Sequence, residues 1–318
     1  MLRVLRRAAP GLAEETAGPD WRLPPDAVWV DLETPTREEE LAVERALNVG
    51  LPTREEMADI EPSSRLYQED GATFMTATLL SRAGGDWVTA IPVTFVLAGG
   101  VLVTIRYAAL RAFSVFAART EQDPPVMSGG EALFGLVDAV VERVAALLED
   151  TAKKVEGSSL EIFARRPADS FRPLLGELAQ SQSLTSNART SLATLARLAS
   201  FAALAPEIEN DRDFKQHLRA VQRDVQSLTE HASFLSGNIA FLLDAALGLI
   251  NIQQNGIIKF FSVVAVVFLP PTLCASIWGM NFHHMPELSW RVGYPLALLV
   301  IVAAGVLPYW WFRRRGML

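Results

Sequence analysis

Hydrophobic positions change their rhythm twice along the chain. The first stretches are short and either apolar or alternating: Val28-Trp-Val-Asp-Leu32, Thr73 to Leu80, Val88 to Leu97 and Val101 to Tyr107. Their length and β-branched content predict strands, and Ala98-Gly99-Gly100 between the last two predicts a hairpin. Thr36 to Leu47 reads as a helix between strands. Residues 1–125 are therefore expected to form a mixed α+β domain.

After Asp123-Pro124-Pro125 the spacing becomes helical. Leu133, Leu136, Val137, Val140, Val144, Leu147 and Leu148 recur three and four residues apart, with Glu142, Arg143, Glu149 and Lys153 between them. A second helix is predicted from about Phe171 to Leu204, and Pro206 opens a third. From Asp211 to Trp278 there is no strong stop before Pro270-Pro271, which lie in an apolar run. At ~1.5 Å per residue such a helix is on the order of 100 Å long, so it is expected to act as a stalk. Residues 126–255 form this helical region.

The third regime is apolar throughout. Ile257 to Trp278 carries only Lys259, and Val292 to Phe312 carries no charge; each is long enough to cross a hydrocarbon core of ~30 Å. Trp278, Trp290, Tyr294, Tyr309, Trp310 and Trp311 stand near the ends, as in interfacial belts. Residues 256–318 are thus expected to be a transmembrane domain with spans at about 257–278 and 292–312. Arg313-Arg314-Arg315 after the second span and Lys259 at the start of the first place both termini in the cytoplasm, because basic flanks stay inside. The expected location is the inner (cytoplasmic) membrane, crossed twice, with Gly279 to Arg291 outside.

Charge follows the same division. The net charge of −7 resolves into +4 from residue 251 onward and −11 before it, an acidic body on a basic membrane anchor. A nucleic-acid binder needs a positive face to displace counterions, so that class is excluded, whereas cations are drawn to the body. Solubility alone accounts for the acidity equally well. The single cysteine, Cys274, excludes an intrachain disulfide and a cysteine-based metal cluster. The basic N-terminus lacks the continuous apolar stretch of a signal peptide. No Gly-rich phosphate loop, Gly-x-Ser-x-Gly or His-Glu-x-x-His occurs, so neither ATP-driven pumping nor hydrolysis has residues to carry it, and no enzyme activity is expected.

One seam runs along the third helix. Asp244, Asn251, Asn255, Ile258, Ser262, Ala265, Leu269, Thr272 and Ser276 recur at steps of seven, four or three, and they are small, polar or mildly apolar. Between them stand Phe260, Phe261, Val263, Val264, Val267 and Phe268. Helix packing through small residues gives such a seam too. It lines a pore only if several copies surround an axis.

Immediately after the span comes Trp278-Gly279-Met280-Asn281-Phe282. Gly-Met-Asn at the end of the first of two C-terminal spans resembles the CorA magnesium channels. The resemblance takes in Phe268-Leu-Pro-Pro-Thr272, Met285-Pro-Glu-Leu288, Gly293-Tyr-Pro295, the basic tail and Ala245 to Lys259. It is similar to the enterobacterial-type branch over the last 75 residues and thins upstream to Trp29-Val-Asp-Leu32 and Asp59-Ile-Glu61.

That resemblance implies a funnel-shaped homopentamer in membrane lipid that passes divalent cations, Mg2+ and also Co2+ and Ni2+, into the cell. It implies Mg2+ as transported and regulatory ion, with no resident cofactor. Gly279, Met280 and Asn281 from five subunits then form the outer selectivity filter. Mg2+ sheds water reluctantly, so an amide oxygen at Asn281 that accepts from the hydration shell suits it. Gly279 lets the chain leave the helix, and Met280 packs behind the ring. The family's pore-lining positions fall on Asn255, Ile258, Leu269 and Thr272, and lower on Asp244 and Asn251; Ile258 and Leu269 are expected as apolar constrictions. In the outer loop Glu287 belongs to the matching Met-Pro-Glu-Leu. Many relatives carry an acidic residue where this chain has His283, followed by His284, and imidazoles favour zinc, cobalt or nickel over magnesium. A stalk position where relatives sense internal Mg2+ is Ala220 here, with Asp224 nearby. The alternative is a zinc transporter of the related ZntB type, which shares the fold but typically departs from both motifs. A third reading is a membrane-tethered scaffold that conducts nothing.

Overall fold

A computed structural model describes residues 1–7, 12–16, 21–59, 61, 65–82, 87–120, 128–164, 171–206, 208, 212–281 and 285–315. The Asp123-Pro124-Pro125 break, Phe282, His283 and His284 lie outside them. The chain divides into two compact units, one up to Leu243 and one from Asp244, with the division inside a single helix.

The first unit is built on a mixed sheet. Its strands are β1 (Leu2–Arg7), β2 (Leu12–Thr16), β3 (Ala27–Glu33), β4 (Leu66–Glu69), β5 (Ala72–Ser81), β6 (Thr89–Ala98) and β7 (Val101–Arg106), in the order β2-β1-β3-β7-β6-β5-β4. Only β3 and β7 pair in parallel. The β6–β7 hairpin turns on Gly99 and Gly100 at φ 58° and 81°, the left-handed pair that a two-residue turn requires. Four of the strands and this hairpin fall where the hydrophobic pattern predicts them. β1, β2 and β4 do not announce themselves, because charged residues interrupt them.

Helices cover both faces. On one, α1 (Arg37–Leu47) and α2 (Arg54–Ala58) bring Val43 and Met57 onto Leu2, Val30, Phe74, Val103 and Ile105. Each begins at a threonine whose hydroxyl accepts from the amide of a glutamate three residues on, Thr36 with Glu39 and Thr53 with Glu56, while that glutamate bonds back to the threonine amide. On the other face lie α3 (Arg111–Thr120), α4 (Gly129–Phe163) and α5 (Phe171–Ala202). Phe113 and Phe116 of α3 meet Trp29 with ring centroids 6.0 and 5.5 Å apart.

Two polar details fix this packing. Thr78 of β5 lies beyond the end of β4, which pairs with β5 only as far as Met75. Thr194 of α5 meets the open backbone there: its hydroxyl accepts from Thr78 N–H at 2.9 Å, and its proton faces the carbonyls of Thr78 at 3.3 Å and Ser191 at 2.9 Å. Asp31 of β3 has no exposed surface. It accepts from Arg106 at 2.8 and 3.1 Å, from Arg3 at 2.7 Å and from Thr104 at 2.8 Å, and Thr104 in turn accepts from the Trp29 indole at 2.9 Å. A charge so placed holds two arginines to the sheet centre, because a buried carboxylate is tolerated only when paired and fully bonded.

The helix α6 (Arg212–Trp278) runs across the division between units. In the second unit it is followed by a 3₁₀ turn (Pro286–Ser289) and α7 (Gly293–Arg314). Both helices are long and apolar enough to cross a membrane. An α+β domain, a long helix and two apolar C-terminal helices are thus the architecture.

Candidate functional site

Within the second unit, α6 comes close to α7 at Gly305. A side-chain carbon there would stand 3.2 Å from Pro271 and 3.4 Å from the Val267 carbonyl. That carbonyl is one the helix cannot satisfy, since its partner four residues on is Pro271, which has no N–H. Glycine therefore lets α7 come up against the part of α6 where proline interrupts the hydrogen-bond ladder. Towards Trp310 and Trp311, Val263, Val266 and Val267 line a pocket together with Tyr309 and Phe312, bordered also by Ile258, Lys259 and Ser262.

The predicted seam lies on the other side of α6. Leu269 is two residues from both Val267 and Pro271, which turns it about 200° from each at ~100° per residue. Leu269 is 66% exposed and Ile258 61%; Asp244, Asn251, Asn255, Ser262, Thr272 and Ser276 are exposed and Ala265 is half-buried. Ile258 and Ser262 differ from the rest in flanking the cavity as well. The Thr272 hydroxyl donates to the Phe268 carbonyl at 2.7 Å, which leaves its oxygen free to accept.

The helix ends at Trp278. Gly279 N–H still bonds the Ala275 carbonyl at 3.0 Å and Met280 N–H the Ile277 carbonyl at 3.3 Å, after which Asn281 follows in irregular backbone, exposed. A carbon added at Gly279 would come within 3.3 Å of the Ala275 oxygen, so close approach to the last helical carbonyls favours glycine there. Met280 is 49% exposed in the single chain. Glu287 is exposed on the 3₁₀ turn, and its carbonyl accepts from Trp290 at 3.4 Å. At the far end of α7, Arg314 lies over the Trp310 ring at 3.7 Å and Arg315 over Trp311 at 4.9 Å, a cationic and aromatic collar suited to a headgroup layer.

In the first unit the structure brings together groups that sequence spacing does not connect. His217 of α6 and Asp138 of α4 meet at 2.7 Å, beside the Phe134 ring. Burial pushes the Asp138 carboxyl up, His217 draws it down, and Glu142 and Asp224 push it up further. Asp224 thus stands near this pair, while Ala220 is exposed. Among the described residues no group of three or more histidine, cysteine or acidic side chains is arranged to hold a metal ion.

Comparison with known proteins places this geometry. Residues 25–314 match the family model described as CorA-like Mg2+ transporter protein. The magnesium transport protein CorA of Haemophilus ducreyi is 35% identical over 295 residues, covering 92% of each chain. That of Escherichia coli strain K12 is 35% identical over 294 residues, again with 92% of each covered. Among solved structures, the complete CorA magnesium transporter of Methanocaldococcus jannaschii has the same fold, with TM-score 0.77 at 15% identity over 100% of this chain and 99% of that one. The cytoplasmic domain of ZntB from Vibrio parahaemolyticus resembles it at TM-score 0.58 and 11% identity, over 78% of this chain and 97% of that one. With its sheet domain, long helix and two apolar C-terminal helices, the chain belongs to the CorA-like Mg2+ transporter family.

Proposed function

We propose that the chain conducts Mg2+ into the cell through a pore enclosed by five copies, in the cytoplasmic membrane and with both termini inside. The observation that supports this best is the exposed polar seam on the side of α6 away from α7. A helix facing lipid gains nothing from Asn251, Asn255, Thr272 and Ser276 in register, whereas a water-filled axis does. The Arg314 and Arg315 collar supports the topology.

In this reading Asn281 rings the outer mouth and accepts hydrogen bonds from the hydration shell, with Gly279 and Met280 setting its place. Asp244, Asn251, Asn255, Ser262, Ala265, Thr272 and Ser276 line the path. Ile258 and Leu269 are apolar rings that exclude water when the helices close. Glu287 raises the local cation concentration outside. Co2+ and Ni2+ pass by the same route, and internal Mg2+ regulates closure through carboxylates of the body.

Flux in proteoliposomes loaded with a Mg2+-sensitive dye tests this. Saturable Mg2+ influx, weakly inhibited by Zn2+, is the expected result. Zn2+ influx that Mg2+ fails to compete assigns the ZntB-like alternative, and no flux of either ion leaves a scaffold. Native mass spectrometry in detergent is expected to show a pentamer; a monomer or dimer as the largest species removes the five-fold pore.

A further inference from the structure

Three arginines come together in the first unit. Arg82 follows β5, Arg111 opens α3, and Arg143 lies on α4. All three border one pocket with an apolar wall that includes Leu80, Leu110, Val140 and Leu147. None of the three makes a side-chain hydrogen bond or ion pair with another described residue. Of the neighbouring carboxylates, Glu142 holds Arg119 at 2.9 Å, and Asp150 holds Lys154 at 2.8 Å while its charge also acts on Arg143 and Arg82.

Such a group is costly in the empty state. Arg143 is half-buried, and burial followed by the charges of Arg111 and Arg82 holds its guanidinium below the usual arginine range. Arg111 also stands at the positive end of a helix, where unsatisfied amides already favour an anion and a cation is misplaced. Long arginine stems do cover apolar surface at many exposed sites with their heads spread into water. Here all three side chains line one pocket, with Arg143 half-buried and Arg82 and Arg111 exposed, in a body with a surplus of acidic residues.

We propose that this cavity binds a small phosphate-bearing anion, a phosphate monoester or polyphosphate, gripped by Arg82, Arg111 and Arg143. Planar guanidinium groups match phosphate oxygens two at a time, and the apolar wall strengthens each contact by excluding water. An adjoining cleft shares Arg82 and Val88 and adds Lys154 and Trp87, with Glu177 also on its wall. Trp87 is 52% exposed, so its ring is available to an organic group attached to the phosphate. The proposal does not rest on the conduction reading.

Isothermal titration of the full-length protein in detergent tests it, with EDTA present and sodium pyrophosphate, ATP and sulfate compared at equal ionic strength. Saturable pyrophosphate binding at one site per chain is expected, with sulfate weaker. Arg143→Ala and Arg111→Ala are each expected to weaken it about tenfold or more, one lost charged contact being worth roughly that factor. ATP binding tighter than pyrophosphate assigns an organic ester that reaches Trp87; equal affinity assigns the inorganic anion. Arg82→Ala, at an exposed position, is expected to weaken binding while the melting temperature of the unliganded protein holds or rises, since a repulsive charge is removed. Absence of saturable binding, or affinity unchanged in all three variants, overturns the proposal. So does an Arg82→Ala variant that melts lower without weaker binding, because the arginine then serves the fold.

Discussion

The sheet domain and the C-terminal helices treat polar groups in opposite ways. In the domain, Asp31 lies at the centre with no exposed surface, and every strong donor around it is supplied by the same chain. In the C-terminal unit, Asn251, Asn255 and Asn281 are exposed and make no side-chain hydrogen bond with another described residue, while Phe260, Phe261 and Phe268 are more than 60% exposed. The first arrangement is complete within one chain. The second is not, because exposed apolar surface of that extent needs a non-aqueous neighbour. Stability and conduction are therefore expected to depend on different residues, and substitutions can separate them.

The largest effect is expected from Asn281→Ala, with Mg2+ uptake falling to background in proteoliposomes while the oligomer and its melting temperature are unchanged. Uptake at the parent rate would break the assignment of the outer ring. On the other side of the comparison, Asp31→Ala leaves Arg106, 1% exposed, with only Glu33 at 2.7 Å of its two carboxylates and is expected to destabilise the domain by ~3 kcal/mol in denaturant unfolding. Asn255→Ala should cost under about 0.5 kcal/mol in the same assay, as an exposed position does. Similar losses for Asp31→Ala and Asn255→Ala would show that the two regions are not distinct in this respect.

Two further variants sharpen the C-terminal half. Gly305→Leu forces a side chain against Pro271 and the Val267 carbonyl and is expected to cost ~1–3 kcal/mol, read as a lower melting temperature in detergent. An unchanged melt would mean that the two helices are not held together there. The smallest effect is expected from Leu269→Asn, a several-fold rise in resting flux at high internal Mg2+, because a polar ring keeps water that an apolar ring expels. Reduced flux together with a reduced melting temperature would make Leu269 a packing residue instead.

Much of this was legible locally. β3, β5, β6, β7, the Gly99-Gly100 turn, α1, α4, α5, the long α6 and both apolar helices follow from hydrophobic period and turn chemistry alone, which depend on neighbours a few residues away. β1 was not legible, since Arg3 and Arg6 break its pattern and find carboxylates only in other strands: Arg3 on Asp31 at 2.7 Å, Arg6 on Glu15 at 3.4 Å. β4 is a four-residue edge strand with two exposed positions, too short and too wet to carry a period. In α3, Phe113 and Phe116 are explained by Trp29, far behind them in sequence.

The sequence by itself determined that the chain ends in two membrane-length helices, that a polar seam runs along the first, and that Gly-Met-Asn closes it, because each is a matter of spacing along one helix. Only the tertiary structure decided which side of that helix the seam occupies. That choice rests on Gly305 admitting Pro271 and the Val267 carbonyl, a contact between residues more than thirty positions apart. The same holds for Asp31 with Arg106 and for the three arginines around their cavity. Local periodicity says how a segment folds and which face is apolar, but which distant charge meets which is set by strand order and helix packing, and no short window of sequence contains those.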